Sequence, residues 1–109
     1  MSKLQITSYG ETYDITLAMG KYQENDNLAI QMMAEDKEYG CSTPYGIMTV
    51  NLSVKLPYNK AFVDTNNLPF IEDFIKENRL GKPTGVTRVS GFCTYPEYEF
   101  DLEELAKYE

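Results

Sequence analysis

The side chains able to do chemistry in this chain are carboxylates, thiols and phenols; the sequence contains no His. Acid/base relays, nucleophilic triads and zinc sites that depend on imidazole are thereby excluded. Carboxylates are densest near the C-terminal end. Glu97, Glu99, Asp101, Glu103, Glu104 and Glu109 stand against Lys107 alone, six acids and one base for a local charge of −5. On a strand, Glu97 and Glu99 share one face about 6.6 Å apart. Such a row can present a phosphate-like line to a basic nucleic-acid-binding groove, or it can be a solvated edge that keeps the protein soluble. Tyr95 and Tyr98 border it, and most of the nine tyrosines (Tyr9, Tyr13, Tyr39, Tyr45, Tyr58 and Tyr108 among them) fall in or beside expected turns and strand ends. A Tyr-bearing rim suits a protein interface, and half-buried packing is the plainer reading. Asp64-Thr65-Asn66-Asn67 is a second polar cluster. Its oxygens suit a hard cation or a ligand, although one carboxylate in four residues is a thin metal site and helix capping explains the same types. Cys41 and Cys93 lie 52 positions apart. That spacing makes no metal knuckle; the two could form one disulfide, but in a reducing compartment two buried free thiols are the expectation, and no His is present to activate either one. Thr84-Gly85 and Ser90-Gly91-Phe92-Cys93 resemble loops that approach a ligand closely, yet no Gly-rich phosphate loop with its Lys accompanies them, and tight turns account for them.

These residues need elements to hold them. The chain has 109 residues, 42% apolar and 25% charged, which argues for one folded domain over residues 1–109 and against disorder. Leu4 and Ile6, then Tyr13, Ile15 and Leu17, alternate with polar residues around Ser8-Tyr9-Gly10-Glu11, the pattern of an antiparallel hairpin. Residues 20–27 read as a loop, Leu28, Ile30 and Met32 as a third strand, and 35–44 as a long turn rich in charge, Gly and Pro. Met48, Val50, Leu52, Val54 and Leu56 predict a fourth strand ended by Pro57. After Val63 the period changes. Asn66-Asn67-Leu68-Pro69 is a helix start, Phe70, Ile71, Phe74 and Ile75 fall on one helical face, and Gly81 with Pro83 ends the run. Two short extended pieces, 85–93 and 94–100, precede a short helix capped by Asp101, with Leu102, Leu105 and Ala106 inward. The expected fold class is α+β: a mostly antiparallel sheet of about five or six strands, one main helix over 68–79 packed on one face, and a short C-terminal helix.

Charge narrows the partners. Seventeen acids against ten bases give a net charge of −7, and only two of the bases are arginines. Direct nucleic-acid binding needs clustered Lys and Arg, and an anionic membrane surface repels such a chain. No run of signal-peptide or membrane-spanning length is present, so a soluble cytoplasmic protein is expected. No cofactor and no metal are expected.

The runs Ala61-Phe62-Val63-Asp64-Thr65-Asn66-Asn67-Leu68-Pro69-Phe70, Pro83-Thr84-Gly85 and Ser90-Gly91-Phe92-Cys93-Thr94-Tyr95-Pro96 resemble a domain-of-unknown-function family of small acidic proteins from conjugative elements and prophages of Firmicutes and gut bacteria. Tyr9-Gly10-Glu11-Thr12-Tyr13 and Asn27-Leu28-Ala29-Ile30-Gln31 fit the same pattern. Family members often carry Pro-Trp where this chain has Pro69-Phe70, which keeps an aromatic. The resemblance brings no catalytic residue. It implies a mobile-element context, in which small acidic proteins are often inhibitors of host defence, anti-CRISPR proteins among them. The expectation is therefore a non-enzymatic inhibitor that binds a protein partner with a basic surface, such as a nucleic-acid-binding defence effector. Glu97, Glu99, Asp101, Glu103, Glu104, Tyr95, Tyr98, Asp64 and Asn66 are its candidate contacts. An accessory module for maintenance or transfer of the element is the alternative, and a small-molecule binder using a pocket near Asp64 a third. A regular edge strand could also pair with its twin in a homodimer.

Overall fold

A computed structural model describes residues 4–8, 10–36, 40–52 and 54–109. Expectations resting on Tyr9, Tyr39 or Ser53 lie outside the described residues. The first three strands follow the alternation in the sequence. β1 (Leu4–Ser8), β2 (Glu11–Lys21) and β3 (Leu28–Asp36) pair antiparallel, with Leu4 opposite Ile15 and Leu17 opposite Met32. A pleated strand sends alternate side chains to opposite faces, so Leu4, Ile6, Ile15, Leu17, Ile30, Met32 and Ala34 all turn to one side and are buried there. Of the turn expected over 35–44, residues 35–36 continue β3 and residues 41–44 belong to β4 (Cys41–Ile47), which completes a four-stranded sheet in the order β1-β2-β3-β4; residues 37–39 lie outside the described residues. Pro44 misleads because Pro cannot donate to a ladder; β4 is an edge, and a bulge opposite Met32 and Met33 accommodates it.

Met48 is where the chain leaves this sheet. Its N–H donates to the Ile30 carbonyl at 2.9 Å, and its own carbonyl accepts from Asp64 N at 2.9 Å. Only β5 (Thr49–Val50) then pairs with β6 (Lys60–Val63), so the nine-residue strand expected over 48–56 is replaced by a two-residue one. The reason is Asn27. Its buried amide donates to the Val54 carbonyl and accepts from Leu56 N at 2.9 Å, supplying from one side chain the partners a neighbouring strand would supply. The segment is held, but as a clipped loop.

The second sheet has the order β5-β6-β8-β7, with β7 (Gly81–Ser90) and β8 (Cys93–Phe100) forming a long hairpin. Between β6 and β7 lies α1 (Ile71–Glu77), seven residues instead of twelve. The expected fold class is thus corrected: the described residues form eight strands in two four-stranded sheets and two small helices, not one sheet carrying a main helix. The polar start signal is spent before the helix begins. Asp64 accepts from Asn67 N at 3.1 Å and its carbonyl takes Leu68 N, closing a turn, while Phe70 opens the helix with no side-chain cap. At the other end Arg79, at φ 57°, takes the left-handed position expected of Gly81. Gly81 is needed for another reason: a Cβ there would sit 2.7 Å from the Glu99 carbonyl across the hairpin.

Both sheets share one core. Tyr98 and Phe100 of β8 and Ala61 and Val63 of β6 meet Ile71, Phe74 and Ile75 of α1 and the inner face of the first sheet. Each large apolar side chain of α1 so buried contributes about 1.5–3 kcal/mol. That anchoring holds a helix too short to form alone. The C-terminal α2 (Leu102–Ala106) buries Leu105, and beyond it the Tyr108 carbonyl accepts Leu17 N at 2.8 Å on the flank of β2 past β1.

Candidate functional site

The expected acidic surface does not form as one row. Glu97 is 7% exposed, and its carboxylate accepts the Thr84 hydroxyl at 2.9 Å, pinning the bulge in β7. Tyr98 is fully buried and donates to Glu72 Oε1 at 2.8 Å; burial first, then that hydrogen bond, drives its phenol pKa far above the ordinary value. The two residues therefore hold the fold and present nothing outward. Glu99 is half-buried, opposite Lys60 on one neighbour and Lys82 on the other. Asp101 caps α2 by accepting Glu104 N at 3.1 Å, and Glu104 pairs with Lys107 at 2.9 Å. That hydrogen bond, with the carboxylate charge behind it, raises the exposed Lys107 ammonium above its usual value. Of the expected row, Glu103 stays exposed without a partner among the described residues.

The other candidates divide similarly. Both Asp64 oxygens serve Asn67, so the carboxylate is occupied by its own turn. Tyr95 lies near it: a hydrogen bond to Cys93 first, then burial, then the charges of Cys93 and Asp64 raise the Tyr95 phenol. Asn66 is exposed and apart. Both thiols are free, Cys41 exposed and Cys93 half-buried, so neither is the buried thiol expected. No cluster of three metal-ligating side chains occurs among the described residues. A cavity of about 730 Å3 between the β2–β3 hairpin end, residues 55–58 and α2 is walled by Met19, Leu28 and Leu56. Its charged groups, Lys21, Lys55, Asp26 and Glu109, are of both signs and point to no single ligand.

A different surface brings coherent chemistry together. Four aromatic rings run in a chain across two sheet strands and the helix: Tyr13 to Tyr45 at 5.9 Å, Tyr45 to Phe70 at 6.4 Å, Phe70 to Phe74 at 6.5 Å between centroids. The last two contacts are edge-on, the arrangement favoured by the ring quadrupole. Tyr45, Phe70 and Phe74 floor a groove of about 290 Å3 between α1 and the outer edge of β1. Asp73 and Glu77, four residues apart on α1, stand on its rim. Both are exposed, and among the described residues neither has a hydrogen-bond or ion-pair partner and no cation lines the groove. At the Tyr13 end, Glu11 accepts the phenol at 2.7 Å, and this bond, with the Glu11 charge, raises the Tyr13 pKa. Ring faces and carboxylates both attract cations. The groove is thus shaped for a basic side chain.

Sequence reasoning missed this site. Phe70 and Phe74 read as one face of the helix, and Tyr13 and Tyr45 as scattered rim residues. The one available signal was the repeated four-residue spacing, Phe70 with Phe74 and Asp73 with Glu77, which places an aromatic ridge beside an acidic one.

No helix of the described residues is long and apolar enough to cross a membrane. In comparison with known proteins, the model of a domain of unknown function (DUF4313) matches residues 16–109. The match begins after the Tyr9 to Tyr13 segment and takes in every residue of the groove except those of β1 and Tyr13. No curated protein and no solved structure matches the chain.

Proposed function

We propose that this chain, which belongs to the DUF4313 family of domains of unknown function, is a non-enzymatic binding protein that grips a protein partner by a basic side chain. The observation that carries the reading is the pair of carboxylates, Asp73 and Glu77, that have no partner among the described residues and stand above the Tyr45, Phe70 and Phe74 floor. A groove of that size suits one long side chain better than a cofactor. The net charge of −7 adds a long-range attraction for a basic partner, which speeds association and makes it salt-sensitive. The fuller form of the reading is an anti-defence inhibitor of the anti-CRISPR kind, carried by a mobile element and directed at a nucleic-acid-binding effector. Its support is the acidic balance and the family resemblance, not any geometry of the groove.

Pull-down with Cas effectors across rising salt, paired with a plasmid-interference assay, tests both levels. The expected result is capture that weakens with salt and is lost in Asp73→Asn/Glu77→Gln, with interference restored in that variant. Capture unchanged by the double substitution removes the groove from the reading. Interference untouched by the protein, with capture of a basic product of a neighbouring gene, favours the accessory role in maintenance or transfer.

A further inference from the structure

The floor and rim of the groove belong to α1 and β4, but its other wall is β1, lined by Gln5, Ile6 and Thr7. β1 is the end strand of its sheet, with β2 on one side and, among the described residues, no strand on the other. Which backbone groups face that open side follows from the register. In an antiparallel pair, residues directly opposite alternate between exchanging both backbone bonds and exchanging none, and the second kind bring their side chains closer. Gln5 opposite Asp14 and Thr7 opposite Thr12 touch through their side chains, Gln5 Nε2 to Asp14 at 2.9 Å and the two Thr hydroxyls at 3.0 Å. Independently, Leu17 N donates to the Tyr108 carbonyl on the β1 flank of β2. Ile15 and Tyr13, two and four residues back, point the same way, so they bond with Leu4 and Ile6. The N–H and C=O groups of Gln5 and Thr7 are left turned toward the groove, and no described residue takes them.

We infer that the groove takes its basic side chain from an extended segment of the partner that adds to β1 as a fifth strand. Backbone groups of Gln5 and Thr7 hold the incoming strand. One Arg or Lys side chain lies over Tyr45 and Phe70 between Asp73 and Glu77. Main-chain pairing at a sheet edge provides affinity and the side-chain pocket provides selectivity. This rests on the proposed basic-partner reading and goes beyond it by fixing the partner's conformation and the edge it joins. A second copy of this chain fits less well. Each copy carries −7, and β1 pairing with itself brings no cation from its described residues to the two carboxylates.

The test uses the full chain and a capped probe peptide, Thr-Val-Thr-Arg-Thr-Val-Thr, followed by amide hydrogen exchange and by fluorescence titration. The expected result is binding that slows exchange at Gln5 and Thr7 about tenfold and leaves Ile6 unchanged. N-methylation of the two residues flanking Arg, Arg→Gln in the probe, and Asp73→Asn/Glu77→Gln in the protein each weaken binding about tenfold, the scale of one or two lost hydrogen bonds or a charged contact. Sensitivity to Arg→Gln without sensitivity to N-methylation overturns strand addition and leaves the basic-partner reading standing. Insensitivity to charge, or no binding, overturns both. Protection of Gln5 and Thr7 that rises with protein concentration in the absence of peptide assigns the edge to a second copy and overturns the inference.

Discussion

Replacing Asn27 by Ala removes the side chain that stands in for a strand. Asn27 is 4% exposed; its amide donates to the Val54 carbonyl, and its oxygen accepts from Leu56 N at 2.9 Å. Ala leaves the Leu56 amide buried with no partner, at about 1–3 kcal/mol, and the half-buried Val54 carbonyl at the lower end of that range. The summed cost is about 2–4 kcal/mol, a large share of the stability of a domain of this size. At roughly 4–8 °C per kcal/mol, the melting temperature falls by on the order of 10–25 °C. Urea unfolding and thermal circular dichroism both read this directly. Thr12→Ala is the internal control. The Thr12 hydroxyl meets the Thr7 hydroxyl at 3.0 Å on the exposed surface, where water can replace the partner, so its loss stays within about 1 kcal/mol. A cost below about 1 kcal/mol for Asn27→Ala, or equal costs for the two variants, refutes the claim that a buried side-chain clip holds residues 54–56.

Tyr98→Phe removes the 2.8 Å bond to Glu72 at a cost of about 1 kcal/mol and also changes the alkaline limb of stability. The folded phenol is raised above its ordinary value of 10.0, so the native state keeps its proton while the unfolded state loses it. The Tyr98 contribution is full below about pH 10 and falls as pH rises beyond that; chemical denaturation at stepped pH is expected to show a shallower alkaline fall in Tyr98→Phe than in the parent. Arg79→Gly relieves a left-handed backbone at φ 57° and is expected to raise the melting temperature, with a net gain of about 0.5–1 kcal/mol after the unfolded-state entropy is counted. Gly81→Ala acts oppositely. Its Cβ would lie 2.7 Å from the Glu99 backbone oxygen, so the β7–β8 ladder must shift, at about 1–3 kcal/mol by urea midpoint.

Local patterns were legible where one face of an element is buried and the other is not. The alternations Leu4/Ile6 and Ile15/Leu17 give their strands, and Ile71, Phe74 and Ile75 give the buried stripe of α1. Partition into two sheets was not legible, because it depends on a contact between distant residues: Met48 bonding Ile30 on one side and Asp64 on the other. Alternation over 48–56 likewise said nothing of Asn27, 27 positions before Val54 in the chain. The expected turn was carried as far as Pro44 because sequence does not mark which strand is an edge. For the site, residue type was visible and use was not. Glu97 and Glu99 have the same chemistry and the expected spacing, yet one is enclosed beside Phe62 and Thr84 while the other is half-open.

That difference in use explains why the proposed binding site lies on α1 and not on the C-terminal segment. A carboxylate already bonded within the fold, as Glu97 is to Thr84 or Glu104 to Lys107, must give up or share that bond to meet a partner, so little of the new contact remains as net affinity. Among the described residues, Asp73 and Glu77 have no such bond to lose. They also sit beside rings already fixed by their neighbours, so the surface is ordered before a ligand arrives and little conformational freedom remains to be lost on binding. The exposed acids elsewhere, Glu103 among them, add to the field that draws a cation in. Under the proposed reading, attraction is a property of the whole charge, whereas retention belongs to the few carboxylates the fold leaves unused next to an aromatic floor.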